Sequence, residues 1–451
     1  MNDTIAAIST TTGVGAISIV RVSGDEAINI VNKIVKNKNL DKVESHTINY
    51  NHIIDNDKII DEVLISIMKG PKSFTTEDIV EINTHGGIAT TNKVLQLLLQ
   101  NGCRLAEPGE FTKRAFLNGR IDLMQAEGIM DLINSKTDKM RDLAINQVGG
   151  NISQMIKNIR KEIVEILANI EVNIDYPEYE DIEVLTNEQL FPKLNNVETK
   201  IKEILKNSEN SKLIKEGIDT SIIGKPNVGK SSLLNRLLNE DKAIVTDVAG
   251  TTRDIVEGTI IIEGIIFNII DTAGIRETED IVESIGVKKS LSLIDKSDLV
   301  LFVLNNNDKL TEEEKEILSK LQNKNYIIVV NKTDLETNLD LSEFNLENIV
   351  YISTLNNEGI DLLKTKIKEI YHLEKIETTD LTYLTNARSI ALLNEALNLV
   401  IEAKKQIENN VPIDMVEIDI KAAWSKLGEI IGQNYSEELI DQLFSQFCLG
   451  K

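Results

Sequence analysis

The sequence predicts a multidomain protein of α/β and all-α parts: an N-terminal α+β domain, a discontinuous helical domain, and a mostly parallel α/β domain inserted into the helical one. Three observations lead there. Residues 1–120 carry short β-rich runs, long helical stripes lie on both sides of residues 215–372, and between those stripes apolar strands alternate with helices.

In the first domain, residues 1–120, "AISIVRVSG", "EVLISIMKG" and "DIVEINTHGG" read as strands, with one helix near residues 90–100. From about residue 121 the apolar period becomes three and four. Ile156, Ile159, Ile163, Ile166, Ile170 and Ile174 form one stripe on a helix that stops at Pro177. Leu393, Leu397 and Val400, followed by a last helix around 436–447, return to that style. Neither flank, 121–214 or 373–451, makes a full bundle alone, so the two are expected to pack together with 215–372 inserted between them. In the insert, "IDTSIIG", "FNIIDTAG", "DLVLFVLN", "NYIIVVNK" and "IVYIST" are short, apolar and β-branched, as strands buried on both faces are.

Composition narrows the setting. At 451 residues and 41% hydrophobic content the chain can build two or three cores. Two cysteines, Cys103 and Cys448, make no disulfide framework, so a reducing cytoplasmic setting is expected. No run of 18 apolar residues occurs, and the N-terminus lacks a basic leader. The end "FCLGK" is no prenylation signal, since Gly450 and Lys451 stand where an aliphatic residue and a small or apolar terminus belong. No membrane anchor is expected. A net charge of −23 argues against bulk electrostatic coating by nucleic acid, so an RNA contact would be local or shared with a partner.

The chemistry sits where the strands of the insert end, the place where doubly wound sheets bind ligands. "GKPNVGKS", 224–231, is G-x-x-x-x-G-K-S between a strand and a helix. Gly224 and Gly229, with Asn227 and Val228 between them, let backbone N–H groups close on phosphates. Lys230 sets a cation against the β and γ oxygens, and Ser231, followed by Ser232, offers a hydroxyl to Mg²⁺. "DTAG", Asp271, Thr272, Ala273 and Gly274, supplies an acid near the metal and an N–H for the γ-phosphate. "NKTD" follows with Asn331, Lys332 and Asp334. A carboxylate at Asp334 can take two hydrogen bonds from the N–H and amino edge of guanine, whereas adenine would leave it unpaired, so the nucleotide is expected to be GTP. "STL", with Ser353 and Thr354, is placed for a backbone contact to the guanine carbonyl.

"TDVAGTTRD", 246–254, fits a first switch segment, with Thr246, Asp247 and Thr251 near the nucleotide and the Thr252 hydroxyl completing the Mg²⁺ shell. Ile275 follows the D-x-x-G motif where a water-orienting Gln is common, and an apolar side chain cannot orient water. Glu277, Glu279, Asp280 and Glu283 lie further along and are also read as solvated loop acids. No arginine finger stands out, so a monovalent cation held by Asn227 is one source of the missing positive charge.

Taken together, "IVRVSG", "SFTTEDIVEINTHGG", "EPGEFTKRAFLNGRIDLMQAE", the nucleotide motifs and "FCLGK" resemble the bacterial MnmE (TrmE) tRNA modification GTPase family along essentially the whole chain. The resemblance implies an N-terminal domain that dimerises and binds formyl-tetrahydrofolate, a helical domain, and an inserted Ras-like P-loop G domain. It implies a homodimer that works with an FAD-dependent MnmG-type protein to place an aminomethyl-type group on carbon 5 of the wobble uridine of certain tRNAs. It implies potassium-dependent GTP hydrolysis, with Asn227, Thr246, Val248 and Thr251 as K⁺ ligands and Glu283 positioning the water. Arg21, Glu81, Arg120 and Lys451 are implied folate ligands, and Cys448 lies beside the one-carbon group, either in a chemical role or as a small apolar seal.

Pterin shows the same N–H and amino edge as guanine, which suits Glu81; apart from the resemblance, Arg21 and Glu81 read as an ion pair at strand ends. Departures from the family's pattern are "STTTGVG" for a proline-bearing loop, Thr76 for a usual Gly, Leu449 for a common Ile, and a weakly conforming "GQNYSEELID". An Era-like switch of ribosome assembly would share the nucleotide motifs but carry a KH-like module, whose G-x-x-G loop between short helices does not flank this insert.

Overall fold

The computed structural model describes residues 3–11, 13–175, 187–240, 256–270, 291–321, 324–373, 384–433, 437–447 and 449–450. They form two compact units: Met1–Asn134 with Ala144–Ile201 and Ala391–Lys451, and Ser135–Leu143 with Lys202–Ile390.

The first unit contains a six-stranded sheet in the order β3-β4-β5-β2-β1-β6, built from β1 (Ile5–Ile8), β2 (Ile17–Ser23), β3 (Thr47–Asp55), β4 (Lys58–Met68), β5 (Ile79–His85) and β6 (Arg104–Leu105). All neighbours are antiparallel except β1 and β6. The period of two is plain in β4, where Val63, Ile65 and Ile67 are buried while Leu64 between them is 49% exposed. In β1 the alternation serves two cores. Ala6 faces the large cluster under helices α1 (Ala27–Ile34) and α2 (Ile88–Gln100), while Ile5 and Ala7 face a small one with Ala106, Phe111 and Phe74.

One helix was expected in this domain, and the described residues form three α-helices. Helix α1 escapes notice because its buried Ala27, Ile28, Ile30, Val31 and Ile34 are mostly β-branched, and α3 (Glu110–Leu117) because three of its eight residues are charged. Those charges form a buried network. Arg114, only 1% exposed, donates to Asp3, Glu77 and Glu110, and Glu110 also holds Arg104. Burial alone would raise the carboxyl pKa of Asp3 and Glu110, but the hydrogen bonds from Arg104 and Arg114 outweigh it and hold both below the ordinary range.

The helical part of this unit comprises α4 (Leu123–Asn134), α6 (Asn151–Asp175), α11 (Ala387–Glu408), α12 (Ile413–Ile430) and α13 (Glu437–Phe444). Helices α5 (Asp138–Val148) and α7 (Asn187–Glu216), and the first turn of α11, fall in part or wholly in the second unit. Ile156, Ile159, Ile163, Ile166 and Ile170 of α6 are buried, but Ile174 is 37% exposed. The stripe therefore ends at Ile170, one turn before the helix does. Helix α6 packs on α12, where the Arg160 guanidinium lies 4.2 Å from the Trp424 ring centroid.

The second unit holds a second six-stranded sheet, order β12-β11-β10-β7-β9-β8, from β7 (Ile218–Ile223), β8 (Val256–Ile262), β9 (Ile265–Ile270), β10 (Leu299–Asn305), β11 (Asn325–Asn331) and β12 (Ile349–Tyr351). Only β8 runs antiparallel, and it was not among the expected strands because "VEGTIII" opens on a glycine-bearing irregular pairing. Helices α8 (Lys230–Glu240), α9 (Glu312–Lys320) and α10 (Ile360–Ile370) lie in this unit, as does a helical stretch at 291–296. The chain leaves β7 toward β9 on one side and later returns to β10 on the other, so the strand order reverses at β7.

Thr76 stands at φ +67°, in the left-handed region that a β-branched residue resists. Relief of that strain exceeds the extra unfolded-state freedom of glycine. Thr76→Gly is thus expected to stabilise the first unit by about 0.5–1 kcal/mol, read as a higher urea midpoint. A lower midpoint would mean that the Thr76 side chain makes contacts worth more than the strain.

Candidate functional site

The reversal at β7 leaves a crevice at the carboxyl ends of the parallel strands, and the chain fills it with "GKPNVGKS" directly after Ile223. Lys230 opens helix α8, and its Nζ donates to Gly224 O at 2.7 Å and Lys225 O at 2.6 Å, so the ammonium sits inside the curl of its own loop. Desolvation pushes its pKa down to about 8. Asn227 holds φ +60° and is exposed, Val228 is buried beneath the loop, and Ser231 and Ser232 occupy the exposed first turn of α8.

Strand β11 ends on Asn331, which is fully buried. Its amide Nδ2 donates to Val228 O at 2.8 Å and its Oδ1 accepts from Thr354 N at 3.1 Å, so one side chain ties the phosphate loop to the loop after β12. Gly229, at φ +101°, is required here: a Cβ would stand 2.1 Å from Asn331 Nδ2. Lys332 holds φ +64°, which turns the chain so that Asp334 lies opposite Ser353. Ser353 Oγ donates to Asp334 Oδ1 at 2.5 Å, fixing the carboxylate's orientation. The structure thus brings Gly224, Asn227, Val228, Gly229, Lys230, Ser231, Ser232, Asn331, Lys332, Asp334, Ser353 and Thr354 to one end of one sheet. Thr246, Asp247, Val248, Thr251, Thr252, Asp271, Thr272, Ala273, Gly274 and Glu283 lie outside the described residues. By chain order, Asp271 follows the end of β9 directly.

In the first unit, Arg21 of β2 and Glu81 of β5 are cross-strand partners, with Nε 2.8 Å from Oε1. The ion pair anticipated from the residues alone is therefore present, in mid-strand rather than at strand ends. Arg21 also lies 5.5 Å from the Phe111 ring centroid, and Arg120 lies 5.0 Å from that of Phe74 while Nη1 donates to Phe74 O at 2.8 Å. Both guanidiniums rest on aromatic rings of the same small cluster. Arg120 also lines a cleft of about 490 Å³ with Asp122, Gln125, Lys157 and Gln433. No sequence signal pointed to these rings, because Phe74 and Phe111 are far apart in the chain.

The C-terminal tail meets this same place. Gly450 O accepts from Ser9 Oγ at 3.0 Å and from Arg21 Nη1 at 3.4 Å. At Gly450, φ is +86° and a Cβ would stand 2.3 Å from Ile8 O, so only glycine lets the tail lie against β1. Cys448 and Lys451 are outside the described residues. Cys103 is buried, and burial pushes its thiol up to about 12, which leaves it inert.

Among the described residues no group of three or more His, Cys, Asp or Glu suits a metal ion, and no helix is long and apolar enough to cross a membrane.

A family profile described as "MnmE helical domain" matches residues 123–448, and one described as "GTP-binding protein TrmE N-terminus" matches residues 4–120. The tRNA modification GTPase MnmE of Bacillus cytotoxicus is 54% identical over 455 residues, covering 100% of this chain and 99% of its own. The protein of the same name from Lactococcus lactis subsp. cremoris is 53% identical over 449 residues, covering 100% of this chain and 98% of its own. Among solved structures, the G domain of the T. maritima FeoB iron transporter is 26% identical, covers 34% of this chain and 98% of its own, and has a TM-score of 0.26.

The depressed Lys230 pKa gives a test with a definite sign. The unfolded chain binds this proton up to the ordinary 10.5, so burial of the charge costs stability below about 8 and the cost fades as pH rises through that window. A bound phosphate favours the charged form and pulls the pKa back up. GDP binding at pH ~8.5 is then expected to take up a fraction of a proton, measured by calorimetry in buffers of different ionisation heat. A buffer-independent heat would mean that Lys230 is already fully charged.

Proposed function

Because the chain belongs to the MnmE family of tRNA modification GTPases, we propose that its GTP hydrolysis is potassium-dependent and drives G-domain pairing across a homodimer. The conformational change serves the addition of an aminomethyl-type group, such as carboxymethylaminomethyl, to carbon 5 of the wobble uridine of certain tRNAs. An FAD-dependent MnmG-type partner shares the reaction, and 5-formyl-tetrahydrofolate or a related folate supplies the one-carbon unit. What supports this reading above all is the return of the tail to the N-terminal sheet. Gly450 O accepts from Arg21, whose guanidinium also pairs with Glu81 and lies over the Phe111 ring, so a folate-sized ligand there would meet the chain's last residues.

At the nucleotide, Asp334 held by Ser353 would read the guanine edge, and Lys230 would hold the β and γ oxygens. Ser231 and Thr252 would hold Mg²⁺, which neutralises phosphate charge when bound. Asn227, Thr246, Val248 and Thr251 would hold K⁺, which supplies the positive charge that an arginine finger gives elsewhere. The residues described fit: Ser231 offers an exposed hydroxyl on the first turn of α8, and Asn227 an exposed amide in the loop. Glu283 would position the attacking water.

Arg21, Glu81, Arg120 and Lys451 would hold the folate. A carboxylate has acceptor capacity for both a guanidinium and the two donors of a pterin edge, so the Arg21–Glu81 pair is compatible with that role. Cys448 would lie beside the one-carbon group. With a net charge of −23, the chain would meet tRNA through a local surface or one shared with its partner, in the cytoplasm.

Two experiments test this reading. Mass spectrometry of nucleosides from total tRNA is expected to lose the modified wobble uridine in bacteria lacking this gene and regain it on restoration; unchanged tRNA with misassembled ribosomal subunits would overturn the proposal. Glu283→Ala is expected to keep nucleotide affinity, slow hydrolysis by about 100-fold, and abolish modification. Intact modification in that variant would make the G domain a dimer-control module only.

A further inference from the structure

The geometry points to Arg236 as a positioning residue for guanine recognition, one that holds the 353–355 loop at the angle from which it reads the base carbonyl. The inference rests on the guanine-nucleotide reading of this site. Arg236 lies on α8, the helix that begins at Lys230 and carries the phosphate loop at its N-terminus. From there its Nε donates to Thr354 O at 3.1 Å and its Nη2 to Leu355 O at 3.4 Å.

These two carbonyls are the far side of the base loop. On the near side, Thr354 N donates to Asn331 Oδ1 at 3.1 Å, and Asn356 N donates to Ser353 Oγ at 3.2 Å. Those bonds engage the N–H groups before and after Leu355. The peptide unit is planar and trans, so the Thr354 carbonyl and the Leu355 N–H point in opposite directions. Drawing Thr354 O toward α8 therefore turns the Leu355 N–H the other way, away from α8 and free of the two side chains that hold its neighbours. One planar guanidinium fork takes both successive carbonyls here and so fixes two directions at once. Asn331, Asp334 and Ser353 set where the loop sits, and Arg236 sets how its peptide planes are rotated.

The probe is 6-thio-GDP, in which sulfur replaces the 6-oxygen and accepts hydrogen bonds poorly, while the N–H and amino edge read by Asp334 is kept. The full-length protein is expected to bind GDP about tenfold more tightly than 6-thio-GDP, the worth of one hydrogen bond in a partly desolvated site. In Arg236→Ala, GDP affinity is expected to fall by about that factor, with 6-thio-GDP affinity nearly unchanged, so the two ligands become equal. Arg236→Lys, a point charge without the rigid fork that fixes both directions, is expected to keep a twofold to threefold preference, roughly in line with a weakened hold on the two carbonyls. It is also the variant to read if Arg236→Ala does not fold.

An equal loss for both ligands in Arg236→Ala, or a full tenfold preference in Arg236→Lys, would overturn the role and leave the guanine reading standing. A wild-type protein that does not distinguish the two ligands would overturn the carbonyl contact itself.

Discussion

The nucleotide unit depends on one buried amide. Asn331 is fully enclosed, and its two polar atoms are used in opposite directions, Nδ2 into the phosphate loop at Val228 O and Oδ1 into the base loop at Thr354 N. A buried amide left half-satisfied costs about 1–3 kcal/mol, so the two loops can separate only against that penalty. The consequence is a fixed span between the loop proposed to hold phosphates and the loop proposed to read a base edge. The glycine at 229 follows from the same contact, because nothing larger leaves room for the Asn331 amide. The left-handed turn at Lys332 then delivers Asp334 to the Ser353 hydroxyl.

The first unit solves a different problem, which is how to keep charged groups inside a small core. Arg114 is the largest fully buried side chain there, and it is tolerated because Asp3, Glu77 and Glu110 surround its guanidinium. Its partners come from the start of the chain, the loop before β5 and its own helix. That geometry ties α3 to the sheet, and α3 in turn meets the C-terminal helix: Phe116 lies 6.0 Å from Phe444, ring to ring, and Phe444 lies 5.0 Å from Phe447. At Gly109 a Cβ would stand 2.5 Å from Phe444 O, so the last helix is seated closely before the tail turns toward β1. The path of the tail to Arg21 is thus laid by packing well before Gly450 arrives.

What could be read from the sequence divides along physical lines. The fold class, the parallel strands of the insert and the phosphate and base motifs were legible because each is local: a period, a glycine at a fixed offset, a carboxylate three residues after an amide. The α6 stripe was legible for the same reason, except at Ile174, where burial depends on where neighbouring helices stop. Helix α1 was missed because β-branched residues at helical spacing resemble a strand. The Arg21–Glu81 pairing was foreseen as a possibility, but its mid-strand register depends on the antiparallel alignment of β2 with β5, which no single stretch encodes. Phe74 and Phe111 under the arginines, and Arg236 behind the base loop, are non-local contacts with no pattern of their own.

The two carboxylates proposed to read the same chemical edge are oriented by different means, and the difference has consequences. Asp334 is turned by a neutral hydroxyl, which fixes direction without cancelling charge. A wrong base leaves an unpaired carboxylate, so this residue carries a large part of the discrimination. Glu81 is turned by a guanidinium, which fixes direction but offsets charge. A mismatched ring there leaves Glu81 still paired with Arg21, so the penalty for error is smaller. Selectivity at the proposed folate site then depends on further contacts, and the tail reaches that place where Gly450 O accepts from Ser9 and Arg21. On the proposed reading the nucleotide site selects by an unpaired charge, whereas the proposed folate site, with Glu81 already paired to Arg21, relies more on the contacts around it.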